Sequence, residues 1–201
     1  MNKIGKIALK NSSLFLCDMQ EKFAGSITYF NAIVSVSNRM LKAAKLLEMP
    51  VVITEQYPKG LGHTVPEIGD ISGIPVFAKN KFSMVFPKVE DYLKNCSRSQ
   101  PVNQVLLCGI EAHVCVLNTA LDLIEKGYQV HVVVDACSSR IPVDRMYAFE
   151  HMKQSGVFLT TSESAILSLV CGSDHPKFKE AQKLIFNPAP DSGLLKNGQA
   201  N

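Results

Sequence analysis

Short β-branched and apolar runs recur along this chain between longer amphipathic stretches, and that alternation restricts it to a small group of α/β folds. The runs predict strands over residues 13–17, 51–54, 75–78, 105–108, 130–134 and 157–159. Most are apolar through their whole length, so they need cover on both sides. A parallel sheet with helices on both faces provides it. The helical pattern is clearest over 30–47, where Ile33, Val36, Met40, Leu41, Ala44 and Leu47 share one face. A second helix is predicted over 113–126, stopped by Gly127, and a third over 142–154, closed by Gly156. Two more fall near 163–170 and 177–185. There is no repeat, low-complexity segment or internal linker. One domain is therefore expected over 1–201, with its core at about 12–187 and a tail at 188–201.

Composition excludes several classes of function. Hydrophobic residues make up 46% and charged residues 19%, a globular balance. The formal net charge is +3, and the basic residues are scattered singly, so no nucleic acid is expected as a partner. No apolar stretch approaches the length of a membrane span, and no membrane association is expected. The six cysteines contain no CxxC pair, and MNKIGKIALK has no signal-peptide apolar region. A reduced, cytoplasmic protein with free thiols is the expectation. Cys17, Cys108, Cys137 and Cys171 lie in or beside apolar runs, where buried thiols usually sit.

In open α/β sheets, ligands bind beyond the carboxyl ends of the strands. Three reactive residues fall there: Asp18 after the first strand, Lys79 after the third, and Cys115 in the helix after the fourth. A thiol in a helix's first turn feels the positive end of the dipole, and free N–H groups there can hold an oxyanion. Asp18 fits a general base, although capping a turn is an ordinary fate for such a residue. Alternation along an extended segment puts Lys79 and Lys81 on the same side, so spacing does not choose between them. Residues 55–74, rich in Gly and Pro, read as a long excursion over the same edge.

The segments FLCDMQEKF, VFAKNKFSMV, LLCGIEAHVCVLNTALDL and GYQVHVVVDACSSR resemble the successive motifs of the isochorismatase-like cysteine hydrolases. The likeness runs from about residue 12 to 164 and is greatest to the eukaryotic isochorismatase domain-containing proteins. It extends to TEQYPKGLGHTVPEIG and the PAPDSGLL tail. The resemblance implies a three-layer α/β/α doubly wound sandwich with a six-stranded parallel sheet in the order 3-2-1-4-5-6. It also implies a catalytic triad of Asp18, Lys79 and Cys115, the lysine being selected over Lys81 by its spacing to Phe82 and Ser83. A cis peptide at Ile110–Glu111 and an oxyanion hole from the backbone N–H groups of Glu111 and Cys115 are implied as well, as is a homo-oligomer, dimer or tetramer.

Among the reactions that this family catalyses, the thiol favours acyl transfer. The expected function is therefore hydrolysis of a small amide or ureide through a Cys115 thioester. Vinyl-ether hydrolysis of the isochorismate type is an alternative, but it needs no nucleophile. A non-catalytic scaffold that keeps the fold is another. A redox-sensing thiol is a third, which would need Cys17 or Cys137 close to Cys115. No cofactor is expected. The metal-binding Asp-x-His segment of the nicotinamidases is replaced here by TEQYPKGLGH, which offers only Glu55 and His63, so no metal is expected. Phe23, Gln56, Tyr57, Phe82 and His113 are the candidate substrate contacts, and Met84 is a possible apolar wall.

Overall fold

A computed structural model describes residues 4–96 and 100–195. The final part of the expected tail, 196–201, lies outside the described residues. Six strands form one all-parallel sheet in the order β3-β2-β1-β4-β5-β6, as the resemblance implies. They are β1 (Ser12–Cys17), β2 (Val51–Gln56), β3 (Val76–Lys79), β4 (Gln104–Gly109), β5 (Gln129–Cys137) and β6 (Phe158–Thr160). The helices are α1 (Phe30–Leu46), α2 (Pro58–Leu61), α3 (Pro87–Asn95), α4 (Leu117–Glu125), α5 (Pro142–Gln154), α6 (Ser162–Val170) and α7 (Phe178–Ile185).

Alternation along β1 sorts the core into two layers. Leu14 and Leu16 pack with Ile33, Met40, Ile166 and Leu169, the layer under α1, α6 and α7. Phe15 and Cys17 pack with Val89, Leu93, Ala120, Leu123, Phe149 and Met152, the layer under α3, α4 and α5. Both faces of β1 are therefore dry, which is why its sequence shows no polar side. Helix α3 has no counterpart in the sequence reading. Its PKVEDYLKN buries only Val89 and Leu93, too few apolar positions for the periodicity to register. Proline at its start is the clearest available signal.

The sheet order reverses between β1 and β4, which creates the crevice where such folds bind ligands. Gly109 closes β4 against β1 there. Its φ is +132°, and a Cβ would stand 2.2 Å from the Cys17 carbonyl oxygen, so only glycine fits. The next residue, Ile110, donates its N–H to that same oxygen at 3.0 Å. One expectation fails further along: Cys171 is exposed. It follows the last turn of α6 in a left-handed conformation, φ 59°, and so leaves the apolar face that its neighbours share.

The β5–β6 edge holds a buried histidine. His131 is 2% exposed, and its ring stacks on Phe158 with centroids 5.2 Å apart. Gln129 Nε2 lies 2.8 Å from His131 Nε2, a contact that only a ring unprotonated at that nitrogen can accept. Burial lowers the ring's pKa from 6.5 to about 4. The unfolded chain thus binds the extra proton first, and the stability tied to neutral His131 is complete above pH 6.5 and lost as pH falls toward about 4. Chemical unfolding of wild type and His131→Gln between those limits should show a wild-type decline steeper by on the order of 2 kcal/mol. Parallel declines would mean that the ring is protonated in the fold.

Candidate active site

Asp18 is the first residue beyond β1. Its N–H still donates to Thr54 O at 3.1 Å, extending the β1–β2 pairing by one residue, and then its left-handed φ of 51° turns the chain off the sheet. The carboxylate is held on both oxygens. Oδ1 accepts from the Thr54 hydroxyl at 2.8 Å, and Oδ2 accepts from Lys79 Nζ at 2.7 Å. Lys79 starts two strands away, at the end of β3, across a gap of about 10 Å at ordinary strand spacing. Only a long side chain reaches that far, and β2 supplies its footing. Nζ also donates to Gln56 Oε1 at 2.7 Å, Phe82 O at 2.8 Å and Lys81 O at 3.1 Å.

Both members of this ion pair are essentially buried, with side chains 2% and 1% exposed. Burial works against the Lys79 charge. Cys17, Asp18 and Cys115 around it more than offset that, and its pKa stands above the ordinary lysine value. Lys81 is exposed, contrary to the alternation argument. The strand ends at Lys79, so the period of two no longer applies beyond it.

Cys115 lies in a π-helical turn, Ala112–Val116, that runs directly into α4. The Val116 N–H reaches back five residues to Glu111 O at 3.2 Å. The sequence pattern does not separate this turn from the helix it predicts over 113–126. The Ile110–Glu111 peptide is cis. The Thr119 hydroxyl donates to Cys115 O at 2.6 Å and accepts from the Met84 N–H at 2.9 Å, which ties the thiol-bearing turn to the segment after Lys79. Cys115 is 7% exposed. Its sulfur, the sulfur of Cys17 and a carboxylate oxygen of Asp18 all lie within 4.8 Å of one another. Cys17 Sγ donates to Asp18 Oδ2 at 3.5 Å, and burial, with Cys115 and Asp18 adding to it, raises the Cys17 pKa well above the usual thiol value.

Among the described residues, this is the one set of three His, Cys, Asp or Glu donors close enough to share a cation. The ammonium of Lys79 already rests on Asp18 Oδ2, so a cation would sit against a fixed positive charge. Glu55 and His63 answer each other instead, His63 Nδ1 standing 3.1 Å from the carboxylate. Burial opposes the Glu55 charge, but the Thr64 N–H and hydroxyl and the His63 ring outweigh it and lower its pKa.

The other candidates divide. Gln56 has both ends of its amide engaged, the oxygen by Lys79 and Nε2 by Asn80 O at 2.9 Å, so it braces the lysine. Phe82 offers its carbonyl to Lys79 and is 56% exposed. Tyr57 is 55% exposed at the start of α2. Phe23 packs into the layer under α1, whereas Cys115 belongs to the opposite layer. Met84 is fully buried. His113 stands 3.0 Å from the Ser139 hydroxyl and 3.9 Å from Asp144, on the α5 side. The Glu111 carboxylate is held by the backbone N–H and the Nε of Arg140, at 3.1 and 3.3 Å.

Two contributors escaped the sequence reading. Thr54 looks like one more β-branched strand residue until β1 is placed beside it. Gln20, fully buried, donates to Gln56 O and Gly62 O and accepts from the Gln56 N–H, clamping the two ends of the 56–62 segment together. A buried amide in the tripeptide DMQ after an apolar strand is the only local trace of that role.

Residues 12–164 match the isochorismatase domain family. The human isochorismatase domain-containing protein 2 is 60% identical over 192 residues, covering 96% of this chain and 91% of that protein. A Caenorhabditis elegans structure described as MAR1 ribonuclease is 56% identical, with a TM-score of 0.89, covering 95% of this chain and 97% of that one. The Escherichia coli YcaC gene product, described as an octameric hydrolase of unknown specificity, has a TM-score of 0.74 at 22% identity. It covers 89% of this chain and 90% of that one, and speaks for the fold alone.

Removing the ammonium from this arrangement should cost stability. Lys79→Met leaves the Asp18 carboxylate buried without its partner, and urea unfolding should show a loss of about 3–5 kcal/mol at neutral pH. A loss below about 1 kcal/mol would mean that water or a shifted side chain reaches Asp18.

Proposed function

This chain belongs to the isochorismatase family, and on that premise we propose that it is a hydrolase that opens a C–N bond of a small amide or ureide through a thioester on Cys115. The observation that carries the reading is the gathering of the Cys115 thiol, the Asp18 carboxylate and the buried Lys79 ammonium at the carboxyl edge of the sheet. Asp18 takes the Cys115 proton, and Lys79 keeps the carboxylate in place and balances the negative charge that builds up beside it. The thiolate attacks the carbonyl carbon, and the oxyanion rests on the N–H groups of Glu111 and Cys115. Protonated Asp18 hands its proton to the departing nitrogen. Water, deprotonated by Asp18, then releases the acid and restores the thiol. Phe82, Tyr57 and His113 are assigned to the substrate's surroundings, and no metal or cofactor takes part.

Vinyl-ether hydrolysis fits less well, because it leaves the thiol without a task. The name ribonuclease carried by the C. elegans relative raises RNA as a second substrate class. Against it stand a formal charge of only +3, with scattered basic residues, and reactive groups that are nearly enclosed. A scaffold without activity would have no need of a buried ion pair whose ammonium donates to four oxygens and whose carboxylate also accepts from a hydroxyl and a thiol. We further assign the chain to one domain, since the elements of 12–185 share a single sheet and its two helical layers. A homo-oligomer, dimer or tetramer, in the cytoplasm completes the proposal.

The test is a parallel screen of small amides, ureides and RNA with wild type and Cys115→Ala. Turnover of an amide or ureide by wild type, reduced at least about 1000-fold in the variant, is expected. An electrophilic amide probe should form its adduct on Cys115. Undiminished turnover in Cys115→Ala, or cleavage of RNA alone, would sink the assignment.

A further inference from the structure

Cys17 has no task in that mechanism, yet its sulfur lies within 4.8 Å of the Cys115 sulfur. We propose that the two cysteines form a thiol-oxidation site, in which a peroxide oxidises Cys115 and Cys17 then closes a reversible Cys17–Cys115 disulfide. The proposal does not depend on the hydrolase reading, since it concerns the thiols and not their substrate.

The chemistry balances in two steps. The Cys115 thiolate attacks one peroxide oxygen, and the O–O bond breaks. The sulfur becomes a sulfenic acid, and hydroxide, or an alkoxide from an organic peroxide, departs. Cys17 sulfur then attacks the Cys115 sulfur, and the S–O bond breaks. The Cys17 proton leaves through Asp18, and the oxygen departs as water. One peroxide thus accepts two electrons from the two thiols. A small dithiol returns them by exchange.

The surroundings favour this pairing over any other. Cys17 ends β1, and Cys115 sits in the turn after β4, the strand hydrogen-bonded to β1. Bringing the sulfurs to a bond of about 2.05 Å asks for a movement of at most about 3 Å, within the swing of a χ1 change. Asp18 Oδ2 already accepts from Cys17 Sγ at 3.5 Å, so the resolving thiol has a base at hand. Without one it would stay protonated, as burial dictates. Cys108 faces the opposite core layer, and Cys137 points its sulfur at Leu107 O. Cys96 is half-buried and Cys171 exposed, both outside the close group. With Cys115 only 7% exposed and Cys17 fully buried, a small peroxide can enter where a bulky thiol such as glutathione is hindered. Resolution from inside the protein is then the available route, and it spares Cys115 from further, irreversible oxidation.

The experiment treats the reduced full-length protein with hydrogen peroxide, blocks the remaining thiols and measures intact mass and peptide maps. In wild type a disulfide (about 2 Da below the reduced thiols) with four blocked cysteines instead of six, and a linked pair of peptides carrying Cys17 and Cys115, are expected, both reversed when dithiothreitol is added before blocking. In Cys17→Ala and Cys17→Ser, Cys115 should instead gain about 32 Da as the sulfinic acid, which dithiothreitol does not reverse. Wild-type Cys115 that gains the same 32 Da, pairs with a different cysteine or another chain, or stays a free thiol would overturn the proposal. The wild-type map decides the matter even if both Cys17 variants fail to fold. Because every readout is a mass, the outcome is independent of whether a hydrolysable substrate is found.

Discussion

The pair between Lys79 and Asp18 is the interaction around which the rest of the site is arranged. Two charges out of water are tolerated only when each is fully met by partners. Here the ammonium is met by a carboxylate, an amide oxygen and two carbonyls, and the carboxylate by an ammonium and a hydroxyl. Those partners come from β1, β2 and the segment after β3, so satisfying one pair fixes three pieces of chain relative to one another. The thiol turn joins them through Thr119 and Met84. A long lysine is required because β2 lies between its strand and the aspartate's. The same intervening strand then supplies Thr54 and Gln56, the side chains that make the span secure.

Much of the fold was legible because it depends on patterns that physics imposes locally. Apolar strands such as 105–108 announced burial on both faces, and α5 began and ended where Pro142 and the glycine after it dictate. Strand order was not legible from residues, since nothing in β1 says that β4 will lie beside it; the family likeness supplied that. Helix α3 was missed because two buried residues make no rhythm. Cys171 was placed inside because its neighbours are apolar, whereas its position after a helix end decides its exposure.

The site was legible in its reactive residues and not in their supports. Asp18, Lys79 and Cys115 carry chemistry that few residue types can provide, so each stands out where a strand ends. Thr54, Gln20 and the carbonyls of Lys81 and Phe82 are common groups whose importance exists only in three dimensions. Gln56 shows the converse: its amide suggested a hand held out to a ligand, and it turned out to be gripping the lysine. Cys17 was one of two thiols left open as a neighbour of Cys115, and only the juxtaposition of two strand ends resolved the choice.

The placement of β1 also bears on how the protein is made. The first strand in the sequence is one of the two at the middle of the sheet, and its register with β4 joins Ser12 to Gln104. A chain emerging from the ribosome in order therefore synthesises an inner strand first and must wait for residue 104 before that strand's second edge can be paired. Until then β1 has β2 and β3 on one side and an open hydrogen-bonding edge on the other, flanked by apolar side chains. That is the exposed template on which misassembly and chaperone capture act. Such long-range pairing also places the chain among slow-forming topologies. The candidate site, which draws on both sides of β1, can come into being only after this vulnerable interval has closed.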